Sequence, residues 1–372
     1  MADIKTHLRE LSVAVTAGLL LSDIPFQVSD LYDSQTFWQL AQSVIDNNIS
    51  TAQNILEVPT YIGELRDILH NGCRLGRAIV ENPHFHFHKG DKIFWLGAQT
   101  QKGDPIDVKI GAYGFSLKEN SFILENMGLY KLLNYMTGSH YQRGLHVFAT
   151  FAPEEYDRWF AYTWERFVTY LQKHETWGLE KNSKVSTAYL SKGQVMLQYN
   201  GDIVSVPAHI TTNRQYMSYT TSHTREKVFS KWIREQLEKD PVYLELKRSC
   251  SVAAGERVVD LIRSGYDPTS LYHFFQIHPF EYYYAKTTAQ ETTILRVPST
   301  DTFGQTIQLK ECRYEAPISQ LNIISTFENT ATHKVLEFRN ECRFSHGQFN
   351  GTPEAKMYVR RDTSLAELYD PI

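Results

Sequence analysis

Three side chains with chemistry to offer lie close together in the stretch GDPIDVKIGAYGFSLKE: Asp107, Ser116 and Lys118. A carboxylate can hold a hard divalent cation such as Mg²⁺, which takes a few oxygen ligands and keeps several waters. The cation polarises a phosphoryl oxygen and acidifies an attacking water, and a neighbouring ammonium steadies the charge that builds at phosphorus. An Asp beside a Lys therefore suits metal-assisted phosphodiester hydrolysis. The same pair on adjacent strands is more often a solvated ion pair, so the surrounding elements have to carry the distinction.

Those elements read as a hairpin. Ile106, Val108 and Ile110 alternate with Asp107 and Lys109, and Phe115 and Leu117 alternate with Ser116 and Lys118. That is the two-residue period of strands. Gly111 and Gly114 mark the turn, so both strands aim Asp107, Ser116 and Lys118 at one patch of solvent. KIFWLG predicts a strand before the hairpin. Asn120 or Ser121 can cap a helix starting at Phe122 and ending before Gly138. LHVFATF predicts a fourth core strand, and Pro153 opens a helix whose inner stripe is Tyr156, Trp159, Phe160, Phe167 and Leu171. With helices ahead of it, the order is helix–strand–strand–strand–helix–strand–helix.

At these residues the chain resembles the PD-(D/E)XK nucleases, and most closely the Type II restriction endonucleases. In that family one strand carries a metal-binding Asp and the next an acidic-X-Lys triplet, here Asp107 and Ser116-Leu117-Lys118. The resemblance covers roughly residues 60 to 175. It implies an α+β (mixed α/β) nuclease core, a mixed sheet flanked by helices, with Mg²⁺ held by Asp107 and the Leu117 carbonyl and with Lys118 orienting the water. Two departures follow. Ser116 stands where the family has Asp or Glu, so a carboxylate must come from elsewhere; Glu64 and Glu81, in the helical region before the first strand, are the candidates. Pro105 follows Asp104, which makes Asp104 a rival metal ligand.

Composition sets the frame. The chain has 372 residues, 42% of them hydrophobic and 13% aromatic, which describes a globular protein with a large core. A net charge of −4 excludes a generally basic nucleic-acid coat but not a locally basic cleft. The four cysteines are scattered without a C-x-x-C pair, as expected of reduced thiols in a cytoplasmic protein rather than of a zinc framework. No apolar run approaches the roughly 20 residues of a membrane span, and LSVAVTAGLLL reads as a helix rather than a signal peptide. His84, His86 and His88 alternate with phenylalanines and would share one face of a strand, a weak candidate metal site.

Three regions are expected: a helical stretch over 1–82, a catalytic core over 83–175, and a region over 176–372 that is mixed and then β-rich, serving DNA recognition and dimerisation. In the last, RFSHGQFNGTPEAK offers Arg343, His346, Gln348, Asn350 and Lys356 to base edges or phosphates. The triplet Glu354-Ala355-Lys356 is a second-choice active site. Tyr282, Tyr283 and Tyr284 can stack on bases, but on a strand 282 and 284 face one way and 283 the other, and packing in the core is the expected use of some of them. The expected activity is that of a sequence-specific, Mg²⁺-dependent double-stranded DNA endonuclease. A homodimer suits symmetric sites, and a separate methyltransferase would protect the host. The alternatives are a structure-specific nuclease of the repair or phage kind, told apart by a smear instead of discrete bands, and an inactive nuclease fold that only binds DNA. A nucleotide-driven motor is excluded for want of a G-x-x-x-x-G-K-[ST] loop.

Overall fold

A computed structural model describes residues 4–57, 65–97, 104–119, 123–125, 127–141, 146–288, 291–303, 306–317, 320–344, 347–351, 353–360 and 365–372. The fold is α+β, helical towards the N-terminus and strand-rich towards the C-terminus. It divides into two compact units, and both are discontinuous in sequence. Unit one is Met1–Ser121, Phe275–Gln305 and Ser364–Ile372, and unit two is Phe122–Phe274 and Thr306–Thr363. The expected boundaries at 82 and 175 are therefore not where the chain divides.

In unit one, helices α1 (Ile4–Leu21), α2 (Ser34–Val44), α3 (Ile49–Leu56) and α4 (Arg66–Glu81) precede strands β1 (Ile93–Trp95), β2 (Val108–Ile110) and β3 (Tyr113–Glu119). The chain returns as β9 (Tyr282–Thr287), β10 (Thr292–Val297) and the short β15 (Asp370–Pro371), with strands numbered along the whole chain. The sheet order is β1-β2-β3-β9-β10-β15. β3 and β9 run parallel, with Phe115 opposite Tyr283 and Lys118 opposite Lys286. The other neighbours are antiparallel. The fourth core strand is thus β9 and not LHVFATF. A parallel neighbour requires a long crossover, and here the crossover contains the first stretch of unit two.

One buried core joins the helices to this sheet. Leu11, Val15, Leu75 and Ile79 pack with Val108, Ile110, Phe115, Leu117, Tyr283 and Ala285. Helices α1 and α4 meet almost backbone to backbone because α4 presents Gly72 and Gly76 on one face. A Cβ at Gly72 would lie 1.8 Å from Ser12 Oγ and 2.9 Å from the Arg9 carbonyl oxygen, and one at Gly76 would lie 2.8 Å from the Val13 oxygen. The outer edge of β1 is capped by side chains rather than left open. Asp46 accepts from the Ile93 N–H at 2.8 Å, Asn47 accepts from the Trp95 N–H at 2.8 Å, and Asn48 donates to the Trp95 carbonyl at 2.7 Å. Tyr282, Tyr283 and Tyr284 are all buried, so they serve the core and do not present faces to bases.

Unit two begins with β4 (Ile123–Glu125), followed by helices α5 (Leu129–Thr137), α6 (Val147–Phe151) and α7 (Pro153–His174). The helix expected from Phe122 therefore starts later, at Leu129, and ends at Gly138 in the left-handed conformation with φ 64°. LHVFATF is largely helical. Val147, Phe148 and Phe151 are buried on one helical face, and His146 Nδ1 accepts from the Phe148 N–H at the start of the turn. Burial on that face outweighs the β-propensity of the residues.

Next comes a four-stranded antiparallel meander, β5 (Thr176–Lys181), β6 (Lys184–Ser191), β7 (Gln194–Tyr199) and β8 (Asp202–Pro207). Its two-residue turns, Asn182-Ser183, Lys192-Gly193 and Asn200-Gly201, have positive φ at both positions, the signature of twist-matched hairpins. Helices α8 (Asn213–Tyr219), α9 (Ser230–Gln236) and α10 (Pro241–Gly265) follow, and a π-helical turn, Arg225–Phe229, leads into α9. The second sheet has the order β11 (Ile307–Glu315), β12 (Gln320–Asn329), β13 (Val335–Arg343), β14 (Glu354–Val359), β4. All four cysteines are free and buried. Among the described residues no helix is long and apolar enough to cross a membrane.

Candidate active site

Asp107 is not within the strand expected for it but is the residue immediately before β2. Its carbonyl accepts from the Leu96 N–H at 2.8 Å and the Gly97 N–H at 3.1 Å, and its own N–H donates to the Phe115 carbonyl at 2.8 Å. The main chain at 107 is therefore held by both neighbouring segments. Its carboxylate accepts from the Leu117 N–H at 2.7 Å. This bond ties the Asp just before one strand to the middle of the triplet on the next, and Lys118 is close enough for its charge to act on Asp107.

The second carboxylate comes from helix α1. Glu10 is 2% exposed and its charge acts directly on Asp107. Glu10 Oε2 accepts from Trp95 Nε1 at 3.0 Å and lies 3.6 Å from His7 Nδ1. The neighbouring Arg9 donates to the Leu117 carbonyl at 3.5 Å. Burial first, and the Glu10 charge second, raise the Asp107 carboxyl from 3.8 to about 6, while Lys118, the Leu117 N–H and Arg9 pull it down. The Glu10 charge acting on the Asp107 carboxyl is a repulsion that a hard cation held between the two would turn into attraction. Among the described residues no group of three or more His, Cys, Asp or Glu side chains could hold a metal ion, so Asp107 and Glu10 would need main-chain oxygen and water as further ligands to hold Mg²⁺.

Gly97 makes room for this arrangement. A Cβ there would lie 1.8 Å from Glu10 Oε2 and 3.1 Å from Trp95 Nε1. Gly97→Ala should displace the Glu10 carboxylate and leave the buried Trp95 Nε1 without its acceptor. The expected result is a loss of about 1–3 kcal/mol of stability, measured by thermal denaturation beside the parent.

The other expected site residues are placed differently. Ser116 is 4% exposed and lies opposite Tyr284 on β9; it is not among the groups that set the Asp107 charge. Asp104 is exposed and caps a local turn, accepting from the Ile106 N–H at 3.0 Å, so it is not a rival to Asp107. Glu81 is exposed and ion-paired with Arg77 one helical turn earlier, at 3.4 Å. Glu64 lies outside the described residues. The second carboxylate that the structure brings to Asp107 is Glu10, which sequence reasoning missed. Its only signal was an acidic residue at the edge of the apolar run Leu11–Leu21 of α1. The three histidines do not share a strand face: residues 84–88 form a turn and extended coil, and His84 Nε2 meets the Tyr283 hydroxyl at 3.2 Å.

The expected DNA-reading residues fall in unit two and are mostly engaged within the chain. Arg343 is ion-paired with the buried Glu341 and donates to the Tyr358 hydroxyl at 3.1 Å. Lys356 pairs with Glu354 at 2.9 Å, which also occupies the second-choice triplet. Asn350 accepts from Arg225 Nε at 3.1 Å. Gln348 is 8% exposed, and His346 lies outside the described residues. A more basic surface, not anticipated from sequence, lies on the meander. Lys181, Lys184, Lys227 and Lys231 line a hollow of about 340 Å³. Burial first, then Arg234, Lys181 and Lys227, depress the Lys231 ammonium's pKa, and like charges crowded together favour a polyanion.

The chain matches no protein-family model, no curated protein and no solved structure.

Proposed function

We propose that the protein is a Mg²⁺-dependent endonuclease acting on double-stranded DNA, built on a PD-(D/E)XK-like core and of the Type II restriction kind. The observation that carries this reading is the meeting of Asp107, Glu10, Lys118 and the Leu117 carbonyl at the open end of one β-hairpin. Asp107 and Glu10 would hold the cation, with the Leu117 carbonyl as a main-chain ligand. Mg²⁺ bound there would supply Lewis-acid polarisation of the scissile phosphate and a more acidic attacking water. Lys118 orients that water and offsets the negative charge that develops at phosphorus. Arg9, by holding the Leu117 carbonyl, fixes its direction. The lysine-lined hollow of unit two supports a polyanionic substrate, since backbone phosphates contribute much of the affinity for DNA. A homodimer and a separate protective methyltransferase belong to the same proposal.

Digestion of bacteriophage or plasmid DNA with Mg²⁺, followed by sequencing of the ends, tests it. Discrete fragments with one shared terminal sequence are expected, none with EDTA, and at least about a hundred-fold less product with Lys118→Ala. Lys356→Ala should weaken binding without abolishing cleavage. If Lys356→Ala is dead and Lys118→Ala active, the site belongs on β14 instead.

A further inference from the structure

A second cavity, wholly within unit two, has a chemistry that neither the fold nor the nuclease site uses. Its volume is about 620 Å³, and its lining includes Lys247, Arg234, Arg343, Phe344, Gln348 and Tyr243, with Glu238 also contributing. The size falls within the roughly 300–1,000 Å³ of small-molecule sites. Lys247, on α10, is only 6% exposed, yet it has no hydrogen bond or ion pair among the described residues. Its ammonium lies 5.3 Å from the centre of the Phe344 ring and 6.0 Å from that of Trp159. Burial, then the nearby Arg234, bring Lys247 down to about 8, with Glu238 offsetting this in part.

Two polar atoms of the lining residues, Gln348 Oε1 and the Tyr243 hydroxyl, are buried without a partner among the described residues. Such groups are costly to bury and almost always satisfied. Among the described residues the cavity therefore gathers a largely buried cation, an unfilled amide acceptor and the partly exposed Phe344 ring around one space. A simple anion would satisfy the first alone. A ligand bearing a phosphate, a flat ring and an amino donor satisfies all three.

We propose that this cavity binds a nucleotide, with the phosphate on Lys247 and Arg234, the base against the partly exposed edge of Phe344, and an exocyclic amino group donating to Gln348. The nucleotide has two sources, free in solution or swung out of a duplex, which bring the same chemistry. The assignment does not depend on the nuclease reading, because none of these residues belongs to the Asp107 site.

Calorimetric titration of the full-length protein in EDTA with deoxynucleoside monophosphates, and separately with inorganic phosphate, tests it. One site per chain is expected, with the nucleotide binding at least ten-fold more tightly than phosphate. Lys247→Met should lose at least ten-fold in affinity while melting at a higher temperature than the parent, because an unpaired buried charge has been removed. Lys118→Ala should bind as the parent does. Gln348→Leu provides a second variant, expected to weaken the nucleotide but not phosphate. A duplex carrying 2-aminopurine separates the sources. A fluorescence rise that Lys247→Met abolishes assigns the nucleotide to DNA, and nucleotide binding without that rise assigns it to solution. The proposal is overturned if no mononucleotide binds and 2-aminopurine stays dark, if phosphate binds as tightly as the nucleotide, or if folded Lys247→Met binds as the parent does.

Discussion

Glu10→Gln and Asp107→Asn should each lower Mg²⁺-dependent DNA cleavage by about a thousand-fold, and each should make the metal-free protein more stable. The two effects have one cause. Both replacements keep an oxygen that can accept the bonds now made by Trp95 Nε1 and the Leu117 N–H. What they remove is one of two negative charges that oppose each other in a buried setting. Without a cation, burial of the Asp107 charge and, second to it, the Glu10 charge together cost about 1–3 kcal/mol, and with the cation the two carboxylates become the binding site. Single-turnover cleavage in Mg²⁺ and thermal melts in EDTA measure the two halves independently. A purely structural carboxylate would lose stability on replacement. Parental cleavage by Glu10→Gln would remove α1 from the site, and parental cleavage by Asp107→Asn would end the nuclease reading altogether.

The metal-free protein should become less stable as pH rises through about 6, and Mg²⁺ should reverse this. The sign follows from proton counts. The Asp107 carboxyl is raised from 3.8 to about 6 on folding, so between these values the folded chain holds a proton that the unfolded chain has released. Stability then falls with increasing pH across that window. The loss is complete above pH 6, at about 1–3 kcal/mol. Mg²⁺ competes with that proton, so the gain in melting temperature on adding Mg²⁺ should be small at pH 5 and large at pH 8. Melting curves at several pH values, with Mg²⁺ and with EDTA, provide the check. Asp107→Asn should flatten both dependences. A pH-independent Mg²⁺ effect would place the cation elsewhere.

The local half of the site was legible in the chain. Alternation of apolar and polar residues from Ile106 to Lys118, with glycines at the turn, predicts a hairpin, and the structure pairs Val108 with Phe115 and Ile110 with Tyr113. The hairpins of the meander were legible for the same reason, since Lys192-Gly193 and Asn200-Gly201 supply the positive φ that such turns require. LHVFATF shows the limit of that reading. Valine and phenylalanine suit a strand and a buried helical face alike, and only the packing around them chooses.

What the sequence determined by itself is whatever depends on near neighbours: the strand that begins just after Asp107, the strand carrying Lys118, and the turn that joins them. Tertiary structure alone decided that Glu10 belongs with them. That meeting requires α1 to approach α4 through Gly72 and Gly76, and Gly97 to leave space for a carboxylate arriving from a helix that precedes it by many residues. It also decided that β9, across a long insertion, lies parallel to β3. Contacts between distant segments depend on how whole faces fit together, and no short-range periodicity encodes them.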